Sequence, residues 1–160
     1  GHRDPFEFTP QYDAASDIGQ YLCGTPPVLS MVALDAALDV WEGVKMTALR
    51  AKSQALTGYF IELVETRCAG HGLTLISPRD PDSRGSQISF THAEGGYAII
   101  SALIAEGVIG DFRAPDVLRF GFTPLYTSFA DVWHAVDRMA AIMNERRWDK
   151  PEFHARKAVT

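Results

Sequence analysis

The stretch from Val28 to Trp41 sets the hardest condition on any fold this chain adopts. Val28, Leu29, Met31, Val32, Leu34, Leu38, Val40 and Trp41 leave a helix there almost no polar face, and Asp35 and Asp39 form its one wet stripe. Such a helix must be covered on most sides. At 160 residues the chain is long enough for one core but hardly two, so one compact unit is expected.

Before that helix, residues 1–27 hold many of the prolines and no sustained periodicity, which predicts an extended loop laid across a surface. Pro5-Phe6-Glu7-Phe8-Thr9-Pro10 reads as irregular chain belonging to something upstream, with no initiator Met or basic presequence before Gly1, so a fragment of a longer protein is expected. Residues 1–27 are accordingly assigned to a loop from a larger domain and 28–160 to a small C-terminal domain with its leading helices. Lys45 to Ala69 is amphipathic, with Leu49, Leu56, Phe60, Leu63 and Val64 to one side, and Gly70-His71-Gly72 should stop it.

Short alternating runs then predict strands over 73–77, 87–91, 108–112 and 117–122. Thr91-His92-Ala93-Glu94 has capping-box spacing and predicts a helix to about Glu106; Ser128-Phe129-Ala130-Asp131 predicts a second such start, with Phe129, Val132, Trp133, Val136, Met139, Ala140 and Met143 as its core stripe. The Lys150–Lys157 tail is polar and expected to fray. The order of elements gives an α+β fold: about four mostly antiparallel strands with helices packed on one face.

Composition narrows the function classes. A net charge of −5, with basic residues scattered, disfavours nucleic acid, and no segment is apolar for long enough to cross a bilayer. Cys23 and Cys68 suit buried reduced thiols of a cytosolic protein better than a disulfide framework. His2, His71, His92, His134 and His154 are isolated, with none at metal-pair spacing to a carboxylate or thiol, so no metal site is expected. There is neither a Gly-x-Ser-x-Gly elbow nor a Walker lysine loop.

Two positions stand out. Gly24-Thr25-Pro26-Pro27 places an amide, a hydroxyl and a helix start together, an arrangement suited to an anion such as phosphate. The alternative is that Thr25 merely caps the helix and the prolines begin it. Arg119, inside Val117-Leu118-Arg119-Phe120-Gly121-Phe122, is a guanidinium in an apolar strand, where it needs a planar anion to accept from it. It either faces solvent or has a partner, and no nearby acid is obviously placed, since Asp116 precedes the strand. A vacant carboxylate clamp is the expectation.

The run Tyr21-Leu22-Cys23-Gly24-Thr25-Pro26-Pro27-Val28-Leu29-Ser30, with Leu118-Arg119-Phe120-Gly121-Phe122-Thr123-Pro124-Leu125-Tyr126, closely resembles the C-terminal region of bacterial kynureninases, from Gly1-His2 to about Arg147. The resemblance implies an aspartate-aminotransferase-like (fold type I) enzyme that uses pyridoxal 5'-phosphate to hydrolyse L-kynurenine, or 3-hydroxykynurenine, to anthranilate and L-alanine. That is a step in tryptophan degradation and NAD biosynthesis, carried out by a cytoplasmic homodimer. It implies a tryptophan just ahead of Gly1-His2, a cofactor-phosphate contact for Thr25 in the neighbouring subunit's site, and a substrate α-carboxylate contact for Arg119.

The family's cofactor-bearing lysine belongs at a strand end. Lys45, Lys52, Lys150 and Lys157 have no such setting, so that lysine, the aspartate on the ring nitrogen and the stacking aromatic are expected in a missing N-terminal large domain, with no catalytic residue in this chain, which alone should be inactive. The alternatives are the small domain of a cysteine desulfurase or selenocysteine lyase, which would keep a reactive cysteine on a mobile loop, and a non-catalytic interaction module.

Overall fold

Val28–Leu38 forms helix α1, continued by a 3-10 turn over Asp39–Trp41, in a computed structural model that describes residues 1–155. Two compact units divide between Val44 and Lys45, so α1 groups with the segment that precedes it. In that first unit the leading segment is tied to itself: His2 bridges Ala14, the Tyr12 hydroxyl donates to the Gly1 carbonyl at 3.1 Å, and Asp17 accepts from the Gly19 amide at 2.8 Å to cap a short 3-10 turn. None of the α1 side chains is buried.

The second unit is built on α2 (Met46–Arg67), whose buried residues Ser53, Leu56, Thr57, Phe60, Ile61 and Val64 recur at helical spacing. Polar groups on that face are satisfied: Ser53 Oγ meets Ser86 Oγ at 2.6 Å, and the Thr57 hydroxyl donates back to the Ser53 carbonyl at 2.9 Å. The helix ends where expected, with Gly70 and Gly72 at φ +80° and +76°, a region glycine enters without a Cβ clash. Strands β1 (Thr74–Leu75) and β2 (Gln87–Thr91) follow, then α3 (Gly96–Ala105), β3 (Asp111–Arg113), β4 (Val117–Gly121), α4 (Phe129–Asn144) and α5 (Pro151–His154).

The strands form one antiparallel sheet in the order β1-β2-β4-β3. Ile88 and Phe90 of β2 and Leu118 and Phe120 of β4 enter the core with the buried faces of α2, α3 and α4, so the helices cover one face. Phe60 stands at the centre, its ring 5.1 Å from both Phe120 and Phe122 and 6.1 Å from Phe90. This is the expected α+β layer.

Local differences have physical causes. The 91–94 capping box does not form, because Thr91 is paired with Val117 and Thr74 in the sheet; instead His92 Nδ1 accepts the Gly95 amide at 2.9 Å and α3 starts at Gly96. Gly95 is required there, since an added Cβ would stand 2.5 Å from the Trp148 ring. The 128–131 box does form, with Ser128 Oγ accepting from the Asp131 amide at 3.1 Å and Asp131 Oδ2 accepting from the Ser128 amide at 2.8 Å. Phe129 and Trp133 are not core: they remain 46% and 41% exposed, beside Tyr59 and under the Arg67 guanidinium respectively. The expected fray past Trp148 is also corrected as far as residue 155, because Trp148 is 6% exposed and Phe153 packs against the core. The rest of that tail, Lys157 included, lies outside the described residues. Among those described, no helix is long and apolar enough to cross a membrane.

Replacing the central ring by Phe60→Ala removes contacts to three aromatics at once and should cost about 3–5 kcal/mol. Chemical denaturation of this chain checks it, and a loss below about 1 kcal/mol would show that the second unit is not organised around Phe60.

Candidate functional site

Strand alternation sends Leu118 and Phe120 into the core, so Arg119 projects from the opposite face. Its cross-strand partners are Ser89 on β2 and Asp111 on β3, which makes a polar row Ser89-Arg119-Asp111 across the helix-free side. Ser89 is buried, donating its amide to Ser77 Oγ at 2.8 Å and meeting the Gln87 side-chain amide at 3.3 Å. The guanidinium side chain is 29% exposed.

Arg119 is not an unpaired cation. Its Nε donates to Asp111 Oδ2 at 3.1 Å and its Nη2 donates to the same oxygen. The expectation that no nearby acid could serve it is corrected: Asp111 lies eight residues away in sequence but directly opposite across the β3–β4 ladder. A guanidinium already paired to Asp111 is not a vacant clamp. Hydrogen bonding from Arg119 holds the Asp111 carboxyl below its ordinary range against the opposing effect of burial, with Arg113, 3.4 Å from Oδ2, adding to the lowering. What remains open on Arg119 is one edge: among the described residues Nη1 has no hydrogen-bond acceptor. A planar anion fits that edge through two parallel donors.

In the first unit, Thr25 is exposed and its hydroxyl has no partner among the described residues. It does not cap α1. Pro27 holds the cap position with no side-chain hydrogen bond, and the first bond across the α1 start runs from the Met31 amide to the Pro27 carbonyl at 3.0 Å. A free hydroxyl beside an uncapped helix start is a donor set that fits a phosphate. Of the lysines among the described residues, Lys45 and Lys150 are exposed at helix starts and Lys52 lies within α2, so none of these three ends a strand.

Other chemistry finds little support. No group of three metal-ligating side chains occurs among the described residues. Of the two thiols expected to be buried, Cys23 is exposed; Cys68 is buried, and burial pushes its thiol up to about 11, the reverse of what activates a nucleophilic cysteine. A hollow of about 440 Å³ lies where β4 meets the start of α4, lined by Phe120, Thr127, Asp131, His134 and Arg138, but it does not include Arg119.

Residues 49–139 match the family model described as the kynureninase C-terminal domain. Over all 160 residues the chain is 50% identical to a kynureninase of Pseudomonas fluorescens and 51% identical to kynureninases of Burkholderia mallei and Burkholderia pseudomallei. In each case the whole of this chain is matched but only 38% of the relative, so the chain spans well under half the length of these curated proteins.

Proposed function

Because the chain belongs to the kynureninase C-terminal domain family, we propose that it is the C-terminal portion of an enzyme that hydrolyses L-kynurenine or its 3-hydroxy analogue to anthranilate and L-alanine. The observation that carries this reading is identity of 50% along the entire chain to a kynureninase. Its place is tryptophan breakdown in the cytoplasm. The remaining portion of the polypeptide carries the lysine, the ring-nitrogen acid and the stacking aromatic, and it supplies the cover that α1 needs. The working protein is a homodimer, and residues 1–27 run from its large domain.

Pyridoxal phosphate would supply the electron sink that makes cleavage beside the amino-bearing carbon feasible. This chain's residues bind and orient around it. Thr25 donates its hydroxyl to the cofactor phosphate in the neighbouring subunit's site, where the uncapped start of α1 adds positive potential. Arg119 takes the substrate's α-carboxylate on the guanidinium edge that includes Nη1, leaving Asp111 on the other edge. Holding the carboxylate fixes how the reacting carbon sits relative to the cofactor ring, and such positioning is worth orders of magnitude in rate.

In the full-length protein Arg119→Lys keeps the charge but loses the two-pronged geometry. kcat/KM for L-kynurenine should fall by about two decades, roughly 3 kcal/mol, with the fold retained. Near-normal kcat/KM would remove Arg119 from the substrate site. Thr25→Val in the same protein should weaken cofactor retention by about one to two decades, the worth of one hydrogen bond to a charged group. Equilibrium dialysis against pyridoxal phosphate reads this, and unchanged retention would leave Thr25 without the role.

A further inference from the structure

Arg119 presents one edge outward because another side chain occupies the edge behind it. Asp111 Oδ2 receives both Nε and Nη2, so a single carboxylate oxygen fixes the plane and the rotation of the guanidinium. The two residues are direct cross-strand partners on β3 and β4, whose ladder also pairs Phe112 with Leu118 and Arg113 with Val117. Leu118 is fully buried, so the backbone carrying Arg119 is anchored by the core on its other side. Orientation of the charged head is thus set by rigid elements rather than by a loop.

We infer that Asp111 is a positioning residue for substrate binding, holding the Arg119 guanidinium with its Nη1-bearing edge turned outward so that the α-carboxylate meets an already ordered receptor. The inference rests on the reading of Arg119 as the carboxylate contact. An arginine side chain free in solvent loses about 0.5–1.5 kcal/mol of freedom when a ligand immobilises it, which corresponds to about two- to tenfold in affinity. With Asp111 in place that ordering has already happened in the empty site.

Electrostatics pull the other way, since a carboxylate beside the clamp repels an incoming carboxylate. Arg113 offsets this: its guanidinium stands 3.4 Å from the same Asp111 oxygen, so the group of two arginines and one aspartate keeps a net positive charge. Orientation should therefore win over repulsion. The sign of the effect of removing Asp111 separates the two possibilities, because a competitor for Arg119 would tighten binding when removed and a positioning residue would weaken it.

The experiment uses full-length enzyme with cofactor bound and the variants Asp111→Ala, Asp111→Asn and Arg119→Lys. Asp111 is half exposed on a sheet edge, so neither of its substitutions opens the core. Asp111→Ala should raise KM for L-kynurenine three- to tenfold with kcat changed less than twofold. The inhibition constant of the decarboxylated amine of the same substrate, which has no α-carboxylate to place, should stay within twofold. Asp111→Asn retains an acceptor oxygen for Nε and Nη2 and should recover most of the loss. In an Arg119→Lys background, Asp111→Ala should add nothing further. An unchanged or lowered KM in Asp111→Ala, or a parallel loss for the amine, overturns the inference while leaving the Arg119 reading standing, provided that Arg119→Lys is impaired. If Arg119→Lys is itself normal, the underlying reading fails first, and the inference with it.

Discussion

Period-two alternation along β4 is the constraint from which the rest of the second unit follows. Leu118 and Phe120 must enter the core together, where Phe60 receives the latter ring at 5.1 Å, and Arg119 between them has no choice but the opposite face. A slip of one residue would bury the guanidinium and expose both apolar side chains, which the core could not tolerate. The same alternation on β2 buries Ile88 and Phe90 and puts Ser89 beside Arg119. Core and polar row are thus two consequences of one register.

That coupling explains what could be read from the residues alone. The α2 and α4 stripes, the β2 and β4 strands and the Ser128–Asp131 cap are local patterns that the tertiary structure leaves in place. Asp111 is different. It lies within a short, irregular run that the alternation placed at 108–112, whereas the strand occupies Asp111–Arg113, and only the cross-strand register brings it to Arg119. Even so, a signal existed: an arginine in an apolar strand demanded an acid, and Asp111 was one turn of chain from it. Thr91 had the spacing of a cap and lost it to the sheet, where three strands wanted the same residue. Phe129 and Trp133 had core periodicity, but α4 buries a stripe narrower than its apolar content.

The first unit shows the limit of a partial chain. α1 is nearly all apolar and none of its side chains is buried. The chain spans 38% of the length of the Pseudomonas fluorescens kynureninase it matches. Thr25 stands in the same position chemically, an exposed hydroxyl beside a helix start with no side-chain cap. Both features make sense as halves of contacts, and on the proposed reading the other halves are a large domain and a cofactor phosphate.

On the proposed reading Arg119 receives a carboxylate on one edge while Asp111 holds the other. A crystal structure of the full-length protein with a non-reactive α-amino acid analogue of kynurenine bound in the cofactor-loaded site tests it directly. The analogue's carboxylate should lie within hydrogen-bond distance of Nη1 and Nη2 of Arg119, with Asp111 still on Nε. A carboxylate held by a different cation, or one that has displaced Asp111 from Arg119, would contradict it.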